Sequence, residues 1–92
     1  MTIKTGIRAF YVGENQQEPD AIITYTEEND TTIVANSTYV DPSLRGQQVA
    51  KKLLDRLVEH AREHGLKIRP TCSYVVKMFE RDKRFADVAL MD

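Results

Sequence analysis

Up to residue 40 the apolar positions come in short β-branched or aromatic runs separated by polar clusters, and from about residue 47 they recur at helical spacing. The first pattern predicts strands and the second predicts helices. Residues 7–12 read as a strand closed by Gly13 and the polar stretch 14–20, and residues 21–26 read as a second. Glu27, Glu28, Asn29 and Asp30 predict a turn, so the third strand, residues 31–40, returns on the second as a hairpin. Its alternation sets Ile33, Ala35, Ser37 and Tyr39 on one face and Val34, Asn36, Thr38 and Val40 on the other. Neither face is wholly apolar, which suits a strand with a ligand beside its C-terminal half.

A helix follows from about Gln47 to His64. Val49, Leu53, Leu54, Leu57, Val58 and Ala61 form one stripe, Lys52, Arg56, Glu59 and Glu63 lie off it, and Gly65 provides the stop. Residues 66–69 predict a short strand ended by Pro70. A strand, a helix and a strand in that order make a right-handed crossover, so this strand should run parallel to the third. Ser73 is placed to cap a second helix through about Arg81, with Val75, Val76 and Phe79 on its buried side. Residues 85–90 form an apolar tail expected to pack back on the sheet. The expected fold is one α+β domain over residues 1–92, a mainly antiparallel sheet with one parallel pair and two packing helices.

Composition narrows the function classes. Hydrophobic content of 41% and charged content of 29% are those of an ordinary globular domain. No apolar run approaches the roughly 20 residues of a membrane span, and the first residues lack the apolar core of a secretion signal. One cysteine makes no internal disulfide, so a cytoplasmic protein without a membrane partner is expected, as a monomer or weak dimer. The net charge of −1 speaks against a general nucleic-acid binder. It hides an uneven layout, however: residues 1–43 balance at −5 and residues 44–69 at +4. The positive stretch contains no Phe, Tyr or Trp to stack on bases. It reads either as a solvated helix face or as the seat of an anionic ligand.

Residues 40–50, Val-Asp-Pro-Ser-Leu-Arg-Gly-Gln-Gln-Val-Ala, tip that choice toward the ligand. A strand end, a Pro turn and an Arg-Gly pair lead straight into the long helix. The helix N-terminus, with its unpaired N–H groups and partial positive charge, therefore faces whatever lies beyond the strand. Cys72 is either a small buried hydrophobe or a thiol made reactive by the start of the second helix. His60 and His64 stand at metal-ligand spacing, but no third ligand is in register, and they read as surface residues with no metal. Asn36 and Ser37 are explained by sheet packing or by holding a water, and Tyr25 and Tyr39 by strand packing.

The same segment resembles the acyl-CoA-binding signature of the GCN5-related N-acetyltransferases, Arg/Gln-x-x-Gly-x-Gly/Ala with an apolar-x-Pro lead-in. Val40, Pro42, Arg45, Gly46, Val49 and Ala50 fit, while Gln48 stands where the middle glycine is expected. Pro70-Thr71-Cys72-Ser73-Tyr74 resembles a second segment of the small single-domain members. The likeness covers roughly residues 33–82. It implies that acetyl-CoA is the co-substrate and lies where the strands on either side of the first helix splay apart. Tyr39 and Val40 would offer backbone groups to the pantetheine arm. Backbone amides of Gly46, Gln47, Gln48, Val49 and Ala50 would hold the pyrophosphate, with charge from Arg45 and Lys51. Tyr74 or Cys72 would protonate the departing thiolate while an unidentified primary amine attacks directly. Gln48 is expected to weaken coenzyme binding unless its φ stays negative. The helices that cover the acceptor site in larger members have no counterpart here, so the acceptor side, which Asn36 and Ser37 could line, is expected to be shallow, supplied by a partner or shaped for an exposed amine. The alternative is a coenzyme-binding or interaction module without efficient catalysis.

Overall fold

The computed structural model describes residues 2–91. Its five strands, β1 (Lys4–Gly6), β2 (Ala9–Val12), β3 (Ala21–Asn29), β4 (Thr32–Val40) and β5 (Lys67–Pro70), lie side by side in chain order. Two helices, α1 (Val49–His64) and α2 (Ser73–Arg81), pack on the sheet. β4 and β5 pair in parallel and the other neighbours antiparallel, so the α+β class and the βαβ crossover are as the apolar pattern predicts. The tail also returns to the sheet: Ile68 N–H donates to Val88 O at 2.7 Å and Leu90 N–H to Ile68 O at 2.8 Å, along the outer edge of β5.

The core is the α1 stripe set against the sheet. Val49, Leu53, Leu54, Leu57, Val58 and Ala61 are all buried, against Phe10, Ala21, Ile23, Ile33, Ala35 and Ile68 from the strands. Each such large apolar side chain removed from water contributes about 1.5–3 kcal/mol. Val75 and Phe79 of α2 join the same core, while Val76, expected beside them, is only half-buried. Gly65 ends α1 with φ 66°, and its N–H returns to Ala61 O. Arg62 then ties the helix to the tail through both oxygens of Asp87 at 2.9 Å and the Arg84 carbonyl at 2.7 Å.

The first expected strand begins only at Ala9, and an unexpected strand, β1, precedes it. Residues 7 and 8 are the turn between β1 and β2, with Arg8 at φ 53°. Gln16 clamps that turn by bonding both the N–H and the carbonyl of Ile7, at 2.8 and 2.9 Å. β3 runs on to Asn29 rather than turning at Glu27, and the Asn29 side chain accepts from Thr31 N–H at 2.9 Å to tighten a shorter turn.

The alternation expected for β4 also fails, for a reason local sequence does not carry. Thr24 pairs with Ser37, yet Tyr25 pairs with Ala35, so Asn36 is an extra residue, a β-bulge. Ile33 and Ala35 face the core before the bulge. Beyond it Thr38 and Val40 take that side, opposite the buried Ile23 and Ala21, while Tyr39 turns outward at 45% exposure.

α1 begins at Val49, two residues later than the periodicity suggests, and Gln48 flanks it in the left-handed region at φ 58°, ψ 32°. A side chain other than glycine costs roughly 1–2 kcal/mol there, partly offset by the extra freedom glycine has when unfolded. Gln48→Gly should therefore stabilise the fold by up to about 1 kcal/mol, read as a higher urea midpoint. A lower midpoint would show that the Gln48 side chain holds the turn.

His60 is not the surface residue its spacing suggests. Its ring packs on Phe10, Tyr25 and His64, with centroids 5.6, 5.7 and 4.3 Å away, while the Arg56 guanidinium lies 4.6 Å over Phe10. Partial burial, then His64, then Arg56 push its pKa below the ordinary value. The folded state thus binds that proton more weakly than the unfolded chain does. The stabilisation is complete above about pH 6.5 and fades as pH falls through the depressed folded value. Stability should drop as pH falls below about 6.5, and His60→Leu should flatten the drop. An unchanged slope in that variant would assign the pH dependence to another group.

Candidate functional site

The site begins where β5 stops. Pairing between β4 and β5 ends at Ala35 opposite Pro70. Thr71 and Cys72 then both donate their N–H to the Ala35 carbonyl, at 3.0 and 3.1 Å, and the chain leaves the sheet for α2. From the bulge at Asn36 to Val40, β4 has no β5 residue beside it.

α1 closes the gap from the other direction. After Val40, the Asp41 carboxylate accepts from Ser43 N–H at 2.9 Å and starts a single 3-10 turn, Pro42–Leu44. Gly46 at φ 85° and Gln48 at φ 58° then swing the chain into the helix. A Cβ at Gly46 would meet nothing, so backbone conformation rather than space selects glycine there. Gln48 makes no side-chain capping bond, and the first turn of α1 holds no acidic residue. Its leading amides are thus left for an external acceptor, at the positive end of a sixteen-residue helix.

A cleft of about 470 Å³ opens at this point. Of the residues expected at the site, Val40, Arg45, Gly46, Gln48, Val49, Ala50, Lys51 and Tyr74 line it. Tyr39, Gln47 and Cys72 do not. Leu44 and Met78, which the sequence reading passed over, complete its walls. Both look like ordinary packing residues, and only the helical spacing of Met78 from Tyr74 marks it as sharing the Tyr74 face. Arg45 is exposed and forms no ion pair among the described residues. The Lys51 ammonium lies 3.2 Å from Asp55.

Cys72 sits half-buried in the N-cap position of α2, which displaces Ser73 from the capping role expected of it. Its Sγ contacts Thr38 Oγ1 at 3.5 Å, bridging from α2 to the widened stretch of β4. Burial pushes the thiol pKa up, but the Thr38 hydroxyl and the amides of Val75, Tyr74 and Thr38 outweigh it and leave the pKa below its usual value. Burial, then the charges of Asp55 and Cys72, raise Tyr74 instead, so its hydroxyl keeps its proton near neutral pH. The arrangement thus offers donors for an anion at one end, an apolar wall, and a protonated phenol with a thiol nearby. Among the described residues no group of three His, Cys, Asp or Glu side chains is arranged to hold a metal, and no helix is long and apolar enough to cross a membrane.

The chain is similar to a GCN5-like candidate N-acetyltransferase from Staphylococcus aureus, solved in solution. The two are 41% identical with a TM-score of 0.84, and the match covers 99% of this chain and 89% of the other. An acetyltransferase of the GNAT family from Staphylococcus aureus Mu50 shares the fold at 20% identity and TM-score 0.58, covering 77% of this chain and 48% of its own. Nourseothricin acetyltransferase does so at 16% and 0.56, covering 79% of this chain and 46% of its own. None of the curated proteins matches the chain. The family model of the GCN5-related N-acetyltransferases matches residues 9–88, from β2 to the returning tail, and the chain belongs to that family.

Proposed function

We propose that residues 1–92 form one acetyltransferase domain that passes an acetyl group from acetyl-CoA to a primary amine by direct attack. The family uses acetyl-CoA and an acceptor substrate. The single observation that carries the reading is the uncapped start of α1, opening onto the cleft where β4 and β5 part. Amides of residues 46–50 and the cations Arg45 and Lys51 suit a pyrophosphate. Val40, Leu44 and Met78 suit an aliphatic arm, and the main chain of Tyr39 and Val40, with no β5 strand alongside, suits its amides.

When bound, acetyl-CoA supplies the thioester carbonyl that the neutral acceptor amine attacks. A main-chain N–H near Val40 would stabilise the charge developing on the carbonyl oxygen. Tyr74, which lines the cleft and holds its proton, is the better placed acid for the leaving thiolate, with Cys72, two residues earlier at the helix cap, as the other candidate. The non-catalytic coenzyme module remains the second reading, favoured by Gln48, whose side chain stands at the cleft where the family signature has glycine.

Acetyl-CoA should shift the backbone amide resonances of residues 45–51 and 38–40 before others, and binding should weaken with added salt. Unmoved amides at millimolar ligand would reject the site.

With an amine acceptor supplied, Tyr74→Phe should lower kcat by roughly a hundredfold with little change in coenzyme affinity, the usual effect of losing a general acid. Cys72→Ala should cost less, and because Cys72 lies outside the cleft lining, slower alkylation of Cys72 with CoA bound would extend the ligand site to it. If neither variant loses rate, no protein acid serves the thiolate and the module reading gains.

A further inference from the structure

Lys51 stands in an awkward place for a lysine. It is the third residue of α1, where the helix carries its partial positive charge and a cation is disfavoured. Its partner is Asp55, one turn on, with Nζ and Oδ2 3.2 Å apart and the side chains 35% and 45% exposed. A lysine preceding the acid by four residues is the less favourable orientation of such a pair. A structural role is therefore a weak reason for this lysine. Meanwhile Lys51 lines the cleft and Asp55 does not, lying instead in a neighbouring groove with Arg84. The other carboxylate whose field reaches Lys51 is Asp82, which is already held by Arg84 at 2.6 Å.

We propose that Asp55 competes with the coenzyme phosphates for Lys51: it holds the Lys51 ammonium in the free protein and yields it to the pyrophosphate when the ligand arrives. The inference rests on the reading that this pyrophosphate sits at the start of α1. Two consequences follow from the charges alone. The Asp55 ion pair competes with the ligand for Lys51, and the Asp55 carboxylate repels the phosphates from one helical turn away. Both make Asp55 a brake on affinity, and neither acts on a ligand without phosphate. An exposed pair of this kind is worth little by itself, so the brake is modest.

The test is a double-mutant cycle on coenzyme binding, measured by calorimetry with CoA and with pantetheine, which lacks the pyrophosphate. Asp55→Asn should bind CoA about two- to fivefold tighter than the parent, with a steeper loss of affinity as salt is added. With Lys51→Met in place, Asp55→Asn should yield less than half that gain. Pantetheine should bind all four proteins alike. Weaker or unchanged CoA binding by Asp55→Asn, or an equal gain with Met at position 51, would overturn the role of Asp55 while leaving the coenzyme site standing. If the unaltered protein and every variant fail to bind CoA, the functional reading falls and the proposal with it.

Discussion

The structure depends on one interruption, the early end of pairing between β4 and β5. Its residue-level cause lies in β4, where the bulge at Asn36 breaks the regular edge just past the last pair, Ala35 and Pro70. The Ala35 carbonyl, accepting from both Thr71 and Cys72, is the last pin between the strands. Without the bulge, Thr38 and Val40 would point to the open face of the sheet, and neither the Thr38–Cys72 contact nor the Val40 wall of the cleft would form.

α1 makes the interruption usable because it has two distinct halves. Leu53, Leu54, Leu57, Val58 and Ala61 bury its middle and end against the sheet, so the helix is anchored well away from its first turn. The first turn can then stay uncapped, at the cost of left-handed backbone at Gly46 and Gln48. Strain of that kind persists only where the surroundings hold it, and here the buried Val49 and the Asp41–Ser43 turn do so. α2 completes the opposite wall, setting Tyr74 and Met78 across from Val49, Ala50 and Lys51.

The electrostatics divide along the same line. The cleft gathers cations and unpaired amides, and its one phenol is held protonated by burial and by neighbouring negative charge. At the far end of α1 the charges serve the fold instead: Arg62 and Asp87 tie helix to tail, and the His60 pKa is lowered by burial, then by His64 and Arg56. One helix thus carries ligand-directed charge at its start and structural charge at its end.

The sequence by itself determined whatever depends on near neighbours along the chain. The α1 stripe, the Gly65 stop, the brevity of β5 and the parallel crossover were all legible, because periodicity, φ preference and the order of elements are properties of the chain itself. Tertiary structure decided the rest. The turn at Ile7 and Arg8 carries no Gly or Asn signal and is held by Gln16 nine residues away. The bulge at Asn36 is a mismatch between two strands and exists in neither alone. Cys72 took the N-cap from Ser73 because the chain is pinned to Ala35 until that residue. His60 became part of an aromatic cluster only when β2 and β3 brought Phe10 and Tyr25 beneath it. Leu44 and Met78 read as packing residues until the parting of β4 from β5 made them walls of a cleft. A pattern along a chain says which side chains leave water, whereas the meeting of elements says which of them are left facing a cavity.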